Sequence, residues 1–176
     1  ETDEMNQGEP SIKTTDICDR FSSSVEVCAP IFKGYGAVAA FAGPISTVEV
    51  YEDNVLVREA LENVAAGTVL VVDGGGSRRC ALLGDKLARV AASRSLKGVI
   101  VNGCVRDARE LAGIEVGVLA LATNPLRSNK QGTGRRDVPV HFGGVTWTPG
   151  QYVYTDEDGI VVANGMLHDA PQGVSP

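Results

Sequence analysis

Two short aliphatic runs, Thr68 to Asp73 (TVLVVD) and Gly98 to Asn102 (GVIVN), stand either side of a stretch with helical spacing. No other feature narrows the possible folds as much. In the intervening stretch Leu83, Leu87, Val90, Ala91 and Leu96 fall on one side, and Ala88, Ala91 and Ala92 allow close packing onto a sheet. The spacing predicts a helix over Gly84 to Ser95. Strand, helix and strand in that order predict parallel neighbours joined by a right-handed crossover. Such open α/β sheets place their ligand sites at the strand ends.

The same reasoning extends along the chain. A helix is expected around Thr15 to Phe21, with Thr15 and Asp16 as candidate caps. Ala37 to Ala42 and Ser46 to Tyr51 read as two strands joined through Gly43-Pro44. Asn54 to Asn63 reads as a helix with Asn54 as its N-cap, and Gly67 closes it. A short helix at Arg106 to Ala112 and a strand at Val116 to Thr123 follow the central unit. Asn124 to Asp137 reads as a long polar loop carrying four cations, Arg127, Lys130, Arg135 and Arg136. Either an anion or partner contact or a solvated mobile loop accounts for it. Val138 to Ala163 is strand-rich, with turns at Gly143-Gly144, Pro149-Gly150 and Asp158-Gly159. The expected organisation is a polar disordered arm over 1–10, one α/β domain over 11–164, and a tail over 165–176.

Composition excludes several classes. Hydrophobic content of 43% and charged content of 22% are ordinary for a soluble globular domain. A net charge of −6 argues against general nucleic-acid binding. No apolar run approaches the ~20 residues that span a bilayer. The first residue is Glu rather than Met, which points to a trimmed or processed chain. Cys18, Cys28, Cys80 and Cys104 form no C-x-x-C pair, so neither a zinc site nor a disulfide framework is expected. Reduced thiols in a cytoplasmic protein are the favoured reading. A nucleophilic Cys104 is the sharper one, but no histidine stands in a partnering motif.

The candidate site gathers from three segments. Gly74-Gly75-Gly76-Ser77 follows the first strand without matching a phosphate-loop or dinucleotide motif. Its glycines admit a ligand close to the backbone or make a tight turn. Gly84-Asp85-Lys86-Leu87 opens a helix, where unpaired N–H groups favour a carboxylate or phosphate. Asp85 could equally complement the helix dipole there. Arg106-Asp107, with Glu110 beyond, follows the second strand. Alone, Asp107 would be a helix cap and Arg106 a surface charge. Together the segments put a cation, carboxylates and open amides at one sheet edge, which suits a small anion held with a divalent metal. Arg78-Arg79 reads as a solvated pair or subunit contact, His141 as structural, and Trp147 and Tyr154 as packing residues.

Six stretches resemble the family of the regulator of ribonuclease activity A and the 4-hydroxy-4-methyl-2-oxoglutarate aldolases. They are Thr15 to Asp19 (TDICD), Val69 to Ser77 (VLVVDGGGS), Ala81 to Asp85 (ALLGD), Gly98 to Asp107 (GVIVNGCVRD), Pro139 to Val145 (PVHFGGV) and Asp158 to Val161 (DGIV). The resemblance implies a swivelling β/β/α sandwich in a ring-shaped homotrimer. It implies that the backbone amides of Gly84, Asp85, Lys86 and Leu87 and the Arg106 side chain hold pyruvate. Asp107 would bind Mg²⁺ or Mn²⁺, partly through waters. The aldolase branch cleaves 4-hydroxy-4-methyl-2-oxoglutarate to pyruvate, often decarboxylating oxaloacetate as well. The other branch binds and inhibits an endoribonuclease, and its bacterial members lack the metal-binding aspartate. Asp107 followed by Glu110 favours catalysis, with Asp85 the nearest candidate for a general base.

Overall fold

The computed structural model describes residues 13–167, so the polar arm over 1–10 and the tail beyond Leu167 lie outside it. Within that span the chain is a single mixed α/β domain. Its elements are α1 (Thr14–Phe21), β1 (Val25–Val27), β2 (Lys33–Gly34), β3 (Phe41–Glu49), α2 (Val55–Asn63), β4 (Val69–Asp73), β5 (Ala81–Leu83), α3 (Asp85–Ser93), β6 (Gly98–Val105), α4 (Ala108–Leu111), β7 (Gly117–Thr123), β8 (Arg135–Arg136), β9 (Val140–Phe142), β10 (Val145–Trp147), β11 (Tyr152–Asp156) and β12 (Gly159–Ala163).

The main sheet runs β1-β12-β11-β3-β4-β6-β7-β2, with β5 added beside β6 and β8 beside β3. Strands β3, β4, β6 and β7 are parallel, as the β-α-β pattern predicts. Alternation along them feeds two cores. Leu70, Val72, Val99 and Val101 pack with Val57, Leu61, Ala88 and Ala91 of α2 and α3. Val69, Val71 and Ile100 face the opposite way, onto Phe142, Val145 and Trp147 of the β9-β10 hairpin. Because both faces are covered, β4 and β6 show no polar alternation. No helix among the described residues is long and apolar enough to cross a membrane.

Several local expectations are corrected. Gly43-Pro44 joins no hairpin; it lies inside the single strand β3. Phe41 to Pro44 pair antiparallel with β11, and Ile45 to Glu49 pair parallel with β4. Pro44, which has no N–H to give, sits at the change of partner. Residues 37–40 are outside the strand. Strand β6 continues past Asn102 through Gly103, Cys104 and Val105, because β5 supplies a partner for its second half. Helix α3 stops at Ser93, with Ser95 in the left-handed region at φ 61°.

The caps also differ. The Asn54 side chain does not cap α2; the Asp53 carboxylate takes the Val55 N–H at 3.1 Å. Helix α1 starts at Thr14, and its first N–H and hydroxyl bond the distant Asp156 carboxylate at 2.8 and 2.6 Å. The tail begins pinned, since the Leu167 N–H donates to the Tyr154 hydroxyl at 2.8 Å. The 124–137 loop is fixed rather than free: Arg135 and Arg136 form β8 and pair with Glu49 and Glu59 at 2.6 and 3.1 Å.

Candidate functional site

The parallel strands deliver their C-terminal ends to one edge, and β5 decides what meets there. Its last carbonyl, Leu83 O, accepts the Arg106 N–H at 2.9 Å. That bond sets Gly84, at the mouth of α3, against Arg106-Asp107 at the end of β6. The approach leaves no room for a side chain: a Cβ on Gly84 would lie 2.6 Å from Asp107 Oδ2 and 3.2 Å from Arg106 Cγ.

Asp107 stands at the N-cap position of α4, yet its side chain caps nothing there. Its backbone is left-handed, φ 61° and ψ 45°, a region that aspartate tolerates better than most residues. The carboxylate is turned instead to α3, where Oδ2 accepts the Asp85 N–H at 3.1 Å. The next intrahelical bond is Ala88 N–H to Gly84 O at 3.0 Å. Between them the Lys86 and Leu87 N–H groups find no backbone acceptor among the described residues. They form an open N-terminal turn beside the Arg106 side chain, a ready place for a carboxylate. The Leu87 side chain packs toward the helical-face core, so only its amide faces this turn.

Asp85 is half-buried, with Arg89 Nη2 3.7 Å away, one helical turn on. Arg106 Nη1 lies 3.5 Å from Pro125 O. Sequence reasoning missed that contact, although Asn124-Pro125 is a turn dipeptide that could have flagged it. Glu110 is exposed on α4. No cluster of three or more His, Cys, Asp or Glu side chains occurs among the described residues. An all-protein cage or a zinc-type N/S site therefore does not match the donors present. The carboxylate of Asp107 does suit a hard Mg²⁺-type ion, which retains waters and needs only one or two protein carboxylates plus substrate oxygens.

Other candidates resolve on geometry. Gly74 and Gly76 both donate their N–H groups to Asn102 O, and the Gly75 N–H goes to Asp73 Oδ1. The glycine stretch is thus a tight turn with its amides turned inward. Cys104 is fully buried and burial raises its thiol pKa, the opposite of an activated nucleophile. All four cysteines are free. Arg79 is held by Glu52, and His141 is exposed on β9, 3.1 Å from the Thr146 hydroxyl. A cleft of about 420 Å³ lies elsewhere, walled by Glu49, Tyr51, Asp73, Gly75 and Thr133. There the Glu49 carboxylate pairs with Arg135, and Asp73 Oδ1 accepts from the Gly75 N–H and Asn102 Nδ2.

Comparison with known proteins agrees with this architecture. The RraA-like family profile, described as aldolase/RraA, matches residues 14–162. A Bacillus anthracis protein named "Putative 4-hydroxy-4-methyl-2-oxoglutarate aldolase" is 52% identical over 156 residues, covering 89% of this chain and 98% of that one. A Geobacillus kaustophilus crystal structure described as an S-adenosylmethionine:2-dimethylmenaquinone methyltransferase superposes with a TM-score of 0.88 at 58% identity, over 89% of this chain and 97% of that one. The Thermus thermophilus RNA-processing inhibitor RraA superposes with a TM-score of 0.87 at 45% identity, over 90% and 96%. With nearly its whole described length matched, the chain belongs to the RraA-like (aldolase/RraA) family.

Proposed function

We propose that this protein is a divalent-metal-dependent lyase that cleaves 4-hydroxy-4-methyl-2-oxoglutarate to pyruvate and decarboxylates oxaloacetate. The observation carrying this reading is the contact of Gly84 with Arg106-Asp107, which sets a guanidinium and a carboxylate beside the open amides of α3. The name of the Bacillus anthracis relative supports the same reaction class.

Retro-aldol cleavage and decarboxylation both leave an electron pair that becomes a pyruvate enolate. The Lys86 and Leu87 N–H groups and the Arg106 guanidinium hold the substrate, and Arg106 also stabilises the developing oxyanion. Asp107, fixed by the Asp85 N–H, would hold Mg²⁺ or Mn²⁺, which would supply Lewis acidity there. In the retro-aldol reaction a base must take the substrate hydroxyl proton, and the Asp85 carboxylate is the candidate on this chain. Decarboxylation expels carbon dioxide and needs no such base. The chain works as a homotrimer in the cytoplasm, in keeping with its resemblance to the family.

A second reading rests on the likeness to the RNA-processing inhibitor: this chain binds and restrains an endoribonuclease. The methyltransferase description finds no support in the glycine turn, which leads into β5 rather than opening a helix over a nucleotide. Pyruvate release from oxaloacetate, with and without EDTA, tests the main reading. Turnover should require added metal and vanish in Asp107→Ala. Full metal-dependent activity in that variant would refute the site. Endoribonuclease inhibition that survives Asp107→Ala, with no keto-acid turnover, would establish the second reading instead.

A further inference from the structure

The segment after β7 forms a strap running from the candidate site to a buried carboxylate well away from it in sequence. Its near end frames Arg106. The Asn124 N–H donates to Val105 O at 3.0 Å, Asn124 Nδ2 donates to Arg78 O at 2.7 Å, and Asn124 Oδ1 accepts the Leu126 N–H at 2.9 Å. These bonds hold the turn whose middle carbonyl, Pro125 O, faces the Arg106 guanidinium. Leu126 O then accepts the Ala81 N–H at 2.8 Å, so the strap also braces β5.

Its far end is held by residues 52–54. The Asn129 N–H donates to Glu52 O at 2.8 Å. Asp53, only 2% exposed, accepts the Gln131 N–H at 2.6 Å and the Gly132 N–H at 3.1 Å. Burial pushes the Asp53 pKa up, but the N–H groups of Val55, Gln131, Gly132 and Thr133 together outweigh it and hold the carboxyl below its ordinary value. Beside it, Asn54 Oδ1 accepts from Lys130 Nζ at 3.0 Å and Nδ2 donates to Leu82 O at 3.2 Å, two residues before Gly84. A buried charge satisfied almost wholly by one loop's amides fixes that loop.

The geometry points to Asp53 as a positioning residue of the keto-acid site, anchoring the 124–133 strap whose near end orients Arg106; this rests on the function proposed above. Asn at position 53 keeps the shape but turns an amide donor toward N–H donors, so the far anchor loosens. Arg106 keeps its charge but holds the binding orientation only part of the time. That loss falls on apparent affinity, because the bound substrate restores the orientation.

The test is steady-state oxaloacetate decarboxylation by the full chain with added Mg²⁺ or Mn²⁺, together with hydrogen exchange at the Gln131 and Gly132 amides. In Asp53→Asn, KM should rise roughly tenfold with kcat changed less than about twofold. The strap amides should exchange faster. In an Arg106→Lys background the same change should add less than about twofold, because the orientation it protects is already lost. Unaltered KM in Asp53→Asn, or a penalty fully additive with Arg106→Lys, would overturn the inference. Should Asp53→Asn not fold, Asn124→Ala at the near end should raise KM in the same way, and an unaltered KM there would refute the inference equally. Wild-type protein without turnover would remove the proposed function and this inference together. Active wild type with an unaltered variant removes the inference alone.

Discussion

Gly84 shows how one missing side chain can hold a site together. Its backbone, φ −133° and ψ −164°, is extended and open to any residue. Only the closeness of Asp107 and Arg106 demands glycine. The atom that an added Cβ would strike, Asp107 Oδ2, is the end of a flexible side chain and can move away cheaply. Gly84→Ala should therefore cost no more than about 1 kcal/mol of stability. It should still lower kcat/KM for oxaloacetate by about tenfold or more, because the displaced carboxylate loses the Asp85 N–H and its aim. Thermal unfolding and kinetics on one preparation check both halves. A variant with wild-type kinetics would show that the contact is not part of the site. From sequence, Gly84 and Asp107 each carried an ordinary reading as helix-terminal residues. That Asp107 serves α3 rather than α4 depends on its left-handed backbone and on a strand of three residues, and neither leaves a periodic signal.

Among the elements, those with long periodic patterns were legible and those made by a distant partner were not. Helix α2, strand β4 and the centres of α3 and β6 follow from hydrophobic spacing alone. Strands β5 and β8 exist because β6 and β3 offer free edges, and two or three residues are too few to show alternation. The anchor on α1 was hidden for the same reason: Asp156 lies 142 residues from Thr14. Burial pushes the Asp156 pKa up, but the Thr14 hydroxyl and N–H, with the Asp158 and Gly159 amides, bring it below the ordinary carboxylate value. A lowered folded-state pKa stabilises the fold above the ordinary range, near about 4, and the contribution is lost as pH falls through the folded value. Acid should therefore release α1. Amide protection factors in Thr14–Phe21 should fall more steeply than those in α3 as pH drops from about 5 to below about 4. Asp156→Ala should show the same loosening at neutral pH, at a cost of about 1–2 kcal/mol. Equal protection of α1 and α3 across that range would contradict this role.

Across the whole molecule, the sheet separates the two stabilising cores from the proposed site. Leu83 and Val105, next to the site residues, belong to the core under the helices. The opposite core is closed by the β9-β10 hairpin, with Trp147 fully buried and stacked on Phe142 at 4.8 Å between ring centroids. The Trp147 indole N–H also donates to Phe142 O at 3.2 Å. Its neighbours Val69, Val71 and Ile100 are the sheet residues whose alternate partners carry the helices. Trp147→Ala should cost about 3–5 kcal/mol, since the sheet cannot collapse into so large a void. That is a large share of the 5–15 kcal/mol that holds a typical domain together. The proposed site, carried by β5, β6 and α3, does not touch that void. Below its lowered melting temperature, Trp147→Ala should therefore keep a near wild-type KM for oxaloacetate, while chemical denaturation shows the lost stability. A raised KM in a sample shown to be fully folded would mean that the hairpin face transmits strain to the site. The two cores would then act as one mechanical unit rather than as a frame and a working edge.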